Sequence, residues 1–259
     1  MTAAVAGVCF VLGLVVGSFL NVVAWRIPRK ESVVRPPSHC PECGTPISPR
    51  DNVPIVSWLL LRGRCRHCGT SIAARYPAVE LATGLLWAAV GIRFAEPAPG
   101  ALPAFLVFTS ALVAITAIDL EHYIIPNRVV YPAGFLAVPL LALASAVEDD
   151  WWALARAGIG AVGAWAFFFV LHVISPRSMG FGDVRLSFLL GLHLGWLGGG
   201  EVAGGLFFGF LYGAVVGVAL IVAGRRKRRQ HIPFGPFLAA GAMTFVLFGE
   251  PLLRAYRGN

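Results

Sequence analysis

The sequence predicts an all-α polytopic membrane protein of about eight transmembrane helices, with one small cysteine-rich loop on its cytoplasmic side. Three observations predict it. First, the 259 residues are 57% hydrophobic and only 13% charged, with mean hydropathy +0.74. A soluble domain carries roughly 25% charged residues, and half that fraction cannot coat a globular surface. Second, apolar runs recur along the chain at lengths suited to about 30 Å of hydrocarbon, which takes about 20 helical residues. Third, the basic residues sort by loop. With eight spans, the loops after spans one, three, five and seven carry 17 of the 21 Lys and Arg, and Arg93, Arg156, Arg254 and Arg257 carry the rest. Loops rich in Lys and Arg stay cytoplasmic. The formal charge of +8 therefore encodes topology, and no nucleic-acid footprint is needed to explain it.

Residues 2–25 contain no charge and form the first span. They lack the basic leading region of a secretory signal, so they read as a retained helix. Gly7, Gly13 and Gly17 sit near helical spacing and suggest a close-packed face. Cys9 reads as an apolar filler, and Asn21 as a polar group for backbone or lipid headgroups.

Residues 26–76 change character abruptly, being rich in Pro, Arg and Cys with no run long enough to span. Cys40-Pro-Glu-Cys43 and Cys65-Arg-His-Cys68 each lead directly into glycine. Two such pairs are a metal pattern more than a disulfide pattern. Each turn aims backbone amides at its thiolates, and four thiolates make a closed tetrahedral zinc site. His39 and His67 flank ligands, but the shell is complete with Cys40, Cys43, Cys65 and Cys68. The chain thus divides into a first helix (1–25), a zinc-binding loop (26–76) and a seven-helix membrane domain (77–259).

The later spans read as 76–95, 97–118, 129–147, 151–174, 186–200, 202–223 and 232–248. Pro126 disfavours helix at the residue before it, so the third helix is expected to fray or stop after Asp119. Arg225 to Arg229 follow the seventh span as a pentabasic loop, suited to anionic headgroups. His193 in the short, glycine-rich sixth span reads as hydrogen-bonded within the bundle.

Two acids stand apart. Asp183 lies in Met179-Gly180-Phe181-Gly182-Asp183-Val184-Arg185, at the cytoplasmic start of the sixth span. A carboxylate beside hydrocarbon is costly and marks a functional site by default; the plainer alternative is an N-terminal helix cap. Gly180 and Gly182 offer backbone freedom and close approach to a substrate strand. Asp119 lies at the cytoplasmic end of the third span, at similar depth. Two neighbouring carboxylates cannot both ionise, so they share a proton. The ionised one takes a proton from water while the protonated one polarises a scissile carbonyl. The pair titrates jointly. Glu121 and His122 beside Asp119 face other directions on a helix.

These residues carry a resemblance. Gly17-Ser-Phe-Leu-Asn-Val-Val23, the double CxxC loop with Leu61-Arg-Gly-Arg-Cys65, and Arg75-Tyr-Pro-Ala-Val-Glu80 follow one another in order. Ile118-Asp119, Ile125-Pro-Asn127, Gly180-Phe-Gly-Asp183 and Ile232-Pro-Phe-Gly-Pro236 complete the series. Nearly end to end, the chain resembles the bacterial type IV prepilin peptidases, the bifunctional leader peptidases and N-methyltransferases of pilus and type II secretion systems. The resemblance implies cleavage of a short basic leader from pilin-like precursors on the cytoplasmic side. It also implies methylation of the new N-terminal amine with S-adenosylmethionine. The family's catalytic aspartates map onto Asp119 and Asp183. Arg185 stands where the family commonly has lysine and keeps the charge. For the methyl donor no glycine-rich nucleotide turn is visible. Glu80 is a candidate there, against the alternative of an interface acid paired with Arg75. The competing readings are a peptidase without methyl transfer, a zinc-bearing scaffold of a pilus or secretion assembly, and a transporter; the cytoplasmic-edge depth of Asp119 argues against the last.

Overall fold

A computed structural model describes residues 1–176, 179–224 and 232–258. Arg177 and the pentabasic Arg225 to Arg229 lie outside the described residues. Among the described residues every regular element is helical, apart from two isolated β-bridges. Among the described residues seven helices are long and apolar enough to cross a membrane by length and composition. The chain divides into two compact units, Met1–Glu96 and Pro97–Asn259.

In the first unit α1 (Thr2–Arg26) and α3 (Arg75–Phe94) run antiparallel, with the cysteine loop and the short α2 (Val56–Leu60) between them in sequence. Helices without an apolar solvent to flee associate through small residues that let backbones approach. A Cβ at Gly13 would lie 2.9 Å from Gly84 Cα, and one at Gly17 only 2.7 Å from Glu80 Cα. Gly7, expected on the same face, meets nothing within 4 Å. Its place in the seam is taken from the other helix, where Gly91 packs on Cys9.

The second unit comprises α4 (Leu102–His122), α5 (Asn127–Val147), α6 (Trp151–Ile174), α7 (Phe181–Leu197), α8 (Gly199–Val222) and α9 (Gly235–Arg257). Helix α7 is its centre. Twelve of its residues are buried, from Asp183 to Trp196, and a helix apolar all round is a buried one. A methyl at Gly191 would overlap the Gly160 carbonyl, and one at Gly195 would meet Arg156 O and Ala157 Cα of α6. Burial explains why α7 has 17 residues, fewer than a lipid-facing span.

Three boundaries differ from expectation. Helix α7 begins at Phe181 rather than 186, which puts Asp183 in its first turn. Helix α9 runs to Arg257, through Pro251. Helix α4 continues past Asp119 to His122 and closes on Tyr123, whose left-handed backbone (φ 57°, ψ 36°) sends its N–H to Asp119 O at 2.9 Å. Proline restricts only the residue before it, so Pro126 left three more helical positions open.

Candidate active site and metal centre

Asp119 and Asp183 line one cavity of about 140 Å³ in the second unit, together with Tyr123, Ile125, Gly180, Gly182, Ile232, Pro233 and Phe234. Both acids are buried, at 4% and 8% exposure. A buried carboxylate needs hydrogen bonds, and each has a backbone donor at a helix N-terminus. Gly235 N–H, at the start of α9, donates to Asp119 Oδ2 at 2.9 Å. Gly180 N–H, at the cap of α7, donates to Asp183 Oδ2 at 3.1 Å, and Asp183 N–H returns a bond to Gly180 O. Helix N-termini favour negative charge. Asp183 is therefore the third residue of its helix, reaching back to the cap, and it also lines the cavity. The capping alternative and the site reading describe the same carboxylate.

The two glycines have different reasons from those expected. Gly180 has φ −69° and ψ 146°, which any residue adopts, and Gly182 is not among the positive-φ glycines. What they supply is space. A Cβ at Gly182 would lie 2.9 Å from Ile125 Cβ, and one at Gly180 would lie 3.1 Å from Asp183 Oδ2. Arg185 is not among the residues that line this cavity. It donates to Asn127 Oδ1 at 2.7 Å, tying α7 to the first turn of α5, and stacks over Phe181 with its guanidinium carbon 4.5 Å from the ring centre. Glu121 and His122 do not line the cavity.

Two supports went unread in the sequence. The Phe234-Gly235-Pro236 turn was part of a motif, but only the fold brings its N–H to Asp119, 116 positions away. His172 donates from Nδ1 to Met179 O at 2.8 Å and packs on Phe181, holding the approach to Gly180. A histidine in the last turn of an apolar helix is the signal that was available. His193 is fully buried, hydrogen-bonded to Leu189 O at 2.9 Å and stacked on Phe108, as expected of a bundle histidine.

In the first unit the Sγ atoms of Cys40, Cys43, Cys65 and Cys68 all lie within 4.8 Å of one another, and Cys40 and Cys68 are 3.8 Å apart. A tetrahedron with Zn–S bonds of about 2.3 Å has edges of about 3.8 Å. The two halves repeat: Cys40 N–H bonds Thr45 O as Cys65 N–H bonds Thr70 O, and Gly44 (φ 68°) and Gly69 (φ 72°) take the left-handed turn that only glycine adopts without strain. Hydrogen bonds from Thr45 hold the Cys43 thiol down at about 6, and the amides of Cys68 and His67 lower Cys65. Against an amide bond from Thr70, burial and the neighbouring cysteines push Cys68 up to about 12. Four thiolates so close repel one another unless a divalent cation stands among them. The donor set and its size fit zinc. Arg66, within the second CxxC, clamps Asp51 through Nε (3.0 and 2.9 Å) and a terminal nitrogen (2.6 Å), holding that carboxyl at about 2.

A pH dependence follows. Metal binding needs thiolates, so protons compete with the ion for the four sulfurs. The metal is expected to stay bound at neutral pH and to be released progressively as the solution is acidified, read with a chromophoric chelator. Full retention at about pH 4 would contradict a thiolate-held ion.

Glu80, 8% exposed on α3, accepts from Ile55 N–H at 2.7 Å and from the Ser18 side chain. Ile55 itself stands at φ 60°, rare for a β-branched residue. Ser18 also lines a cavity of about 540 Å³ walled by Val15, Phe19, Val22 and Arg26 of α1 and by loop residues including Ser38, Asn52 and Pro54.

Two family models match the chain: the bacterial peptidase A24 N-terminal domain over residues 11–94, and the type IV leader peptidase family over residues 106–222. The chain is 36% identical over 251 residues to the prepilin leader peptidase/N-methyltransferase of Bacillus subtilis (strain 168), with 96% of each chain covered. It is 36% identical to the protein of that name from Aeromonas hydrophila, covering 96% of this chain and 93% of that one. With the Myxococcus xanthus (strain DK1622) protein the identity is 43% over 218 residues, 83% of this chain and 62% of that one. No solved structure matches.

Proposed function

The chain belongs to the type IV leader peptidase family, and on that premise we propose that it is a membrane aspartyl endopeptidase removing the leader of pilin-like precursors and then N-methylating the new N-terminus. The observation that carries the peptidase reading is the shared cavity of Asp119 and Asp183. Each carboxylate has one oxygen on a backbone N–H, so the other can meet a water held between them. One shared proton then serves both tasks. The ionised carboxylate accepts a proton from water, the protonated one donates to the scissile carbonyl, and the pair returns a proton to the leaving amine. Gly180 and Gly182 keep that wall low for an extended peptide, and Arg185 holds α7 against α5.

For methyl transfer the candidate is the cavity beside α1. Its volume suits a small-molecule ligand, and Ser18, Ser38 and Asn52 offer polar contacts within an apolar wall. Asn21, one turn from Ser18, is buried and donates its amide to Tyr76 O at 3.0 Å. The residues fit S-adenosylmethionine, which when bound supplies an electrophilic methyl group. Ser18, Ser38 and Asn52 would hold it, and Glu80 would orient Ser18 and the strained Ile55 turn of the loop. In this division residues 26–76 hold zinc as a structural crosslink and serve methyl transfer, while the membrane domain serves cleavage. The basic-residue count supports placing the cysteine loop and both aspartates on the cytoplasmic side and the termini outside.

The test is incubation of the purified chain with a candidate precursor and labelled S-adenosylmethionine, followed by mass analysis of the product N-terminus. The expected product lacks its leader and carries one methyl group. An intact precursor would sink the peptidase reading; a cleaved, unmethylated product would sink methyl transfer alone.

A further inference from the structure

We infer that Tyr123 is a specificity-determining residue, its ring forming one wall of a subsite for an apolar substrate side chain next to the scissile bond. The inference rests on the peptidase reading above. Tyr123 ends α4 in the left-handed conformation, where glycine or asparagine is the usual occupant. An aromatic residue there is strained, and strain of this kind persists where function over-determines it. The residue is 48% exposed and lines the cavity of the two aspartates. Its backbone is set by its N–H bond to Asp119 O, 2.9 Å, so the position of the ring is tied to that of the acid.

The other walls nearby are Ile125, Ile232 and Phe234. These three side chains are hydrocarbon, set beside the acids, the two glycines and Pro233, and at about 140 Å³ the cavity holds about five waters' worth of volume, the bulk of one amino-acid residue. A side chain seated there belongs to a residue flanking the bond under attack, because the acids share the space.

The experiment uses the full chain and a set of precursors differing only beside the cleavage site, with Ala, Leu, Phe or Asp. Wild type, Tyr123→Phe and Tyr123→Asn are compared by kcat and KM on each, with Tyr123→Gly as a second variant that tolerates the left-handed backbone. Wild type is expected to favour Leu and Phe. Tyr123→Phe should stay within about twofold, and Tyr123→Asn should lose about tenfold in kcat/KM on Leu and Phe, chiefly through KM, and little on Ala. The melting temperature of Tyr123→Asn should not fall. An unchanged preference in Tyr123→Asn and Tyr123→Gly, or a loss spread evenly over the set, overturns the subsite while leaving the peptidase reading intact. A wild type that cleaves no member of the set overturns that reading and the subsite with it.

Discussion

Asp119→Asn and Asp183→Asn are each expected to abolish precursor cleavage, by on the order of 10³-fold or more, while the chain inserts and folds as before. The substitution is chosen for what it preserves. Asparagine keeps a carbonyl oxygen where Asp119 Oδ2 accepts from Gly235 N–H and where Asp183 Oδ2 accepts from Gly180 N–H, so the ends of α9 and α7 stay satisfied. What it removes is the capacity to ionise or to carry the shared proton. Since the two acids act as one unit, the double variant should be no worse than either single one, as for other catalytic groups acting together. Cleavage is read by mobility shift or mass, and insertion by membrane fractionation. Activity above about a tenth of wild type in either single variant would remove that residue from the dyad.

Cys40→Ser combined with Cys65→Ser is expected to empty the metal site and open the loop. Structural zinc in small domains contributes on the order of 10 kcal/mol to folding, a large share for a loop whose regular structure is two isolated β-bridges, the turn Pro49–Asp51 and the five-residue α2, tied by the Arg66–Asp51 clamp and by bonds such as Trp58 Nε1–H to Ile72 O. The wall of the larger cavity comes from the same loop, at Val33 to Ser38 and Asn52 to Pro54. Methylation should therefore fall by more than about tenfold while cleavage stays within a few-fold. The α1–α3 pair should survive, because its seam is glycine packing rather than metal. Metal analysis, limited proteolysis of the loop and the product's N-terminal mass read the three effects. A wild type without metal, or full methylation after metal loss, would contradict this account.

Much of the architecture was legible because hydrocarbon imposes simple rules. Backbone groups in lipid must bond within their own helix, so an apolar run such as residues 151–174 reads directly as α6. Four cysteines in two CxxC-Gly turns specify a cluster regardless of context, and the cluster is there. Harder to read were elements whose neighbours are protein. The expected start of the sixth span was five residues late: Asp183 lies within the first turn of α7, where its carboxylate satisfies Gly180 N–H. Gly7 looked like Gly13 and Gly17, yet only the latter two meet the partner helix.

From the sequence alone came the helical membrane class, the four cysteines able to hold a metal and the two acids worth pairing. These depend on local composition and on spacing within one segment, which transfer free energy and thiolate chemistry read position by position. Only the tertiary structure decided that Asp119 and Asp183 share a cavity, that Gly235 N–H stabilises one of them, that Gly182 is small because Ile125 is close, and that Tyr123 faces the site. Each of those is a contact between segments far apart in the chain. Such contacts follow from how close-packed helices interlock, which no single stretch of residues encodes.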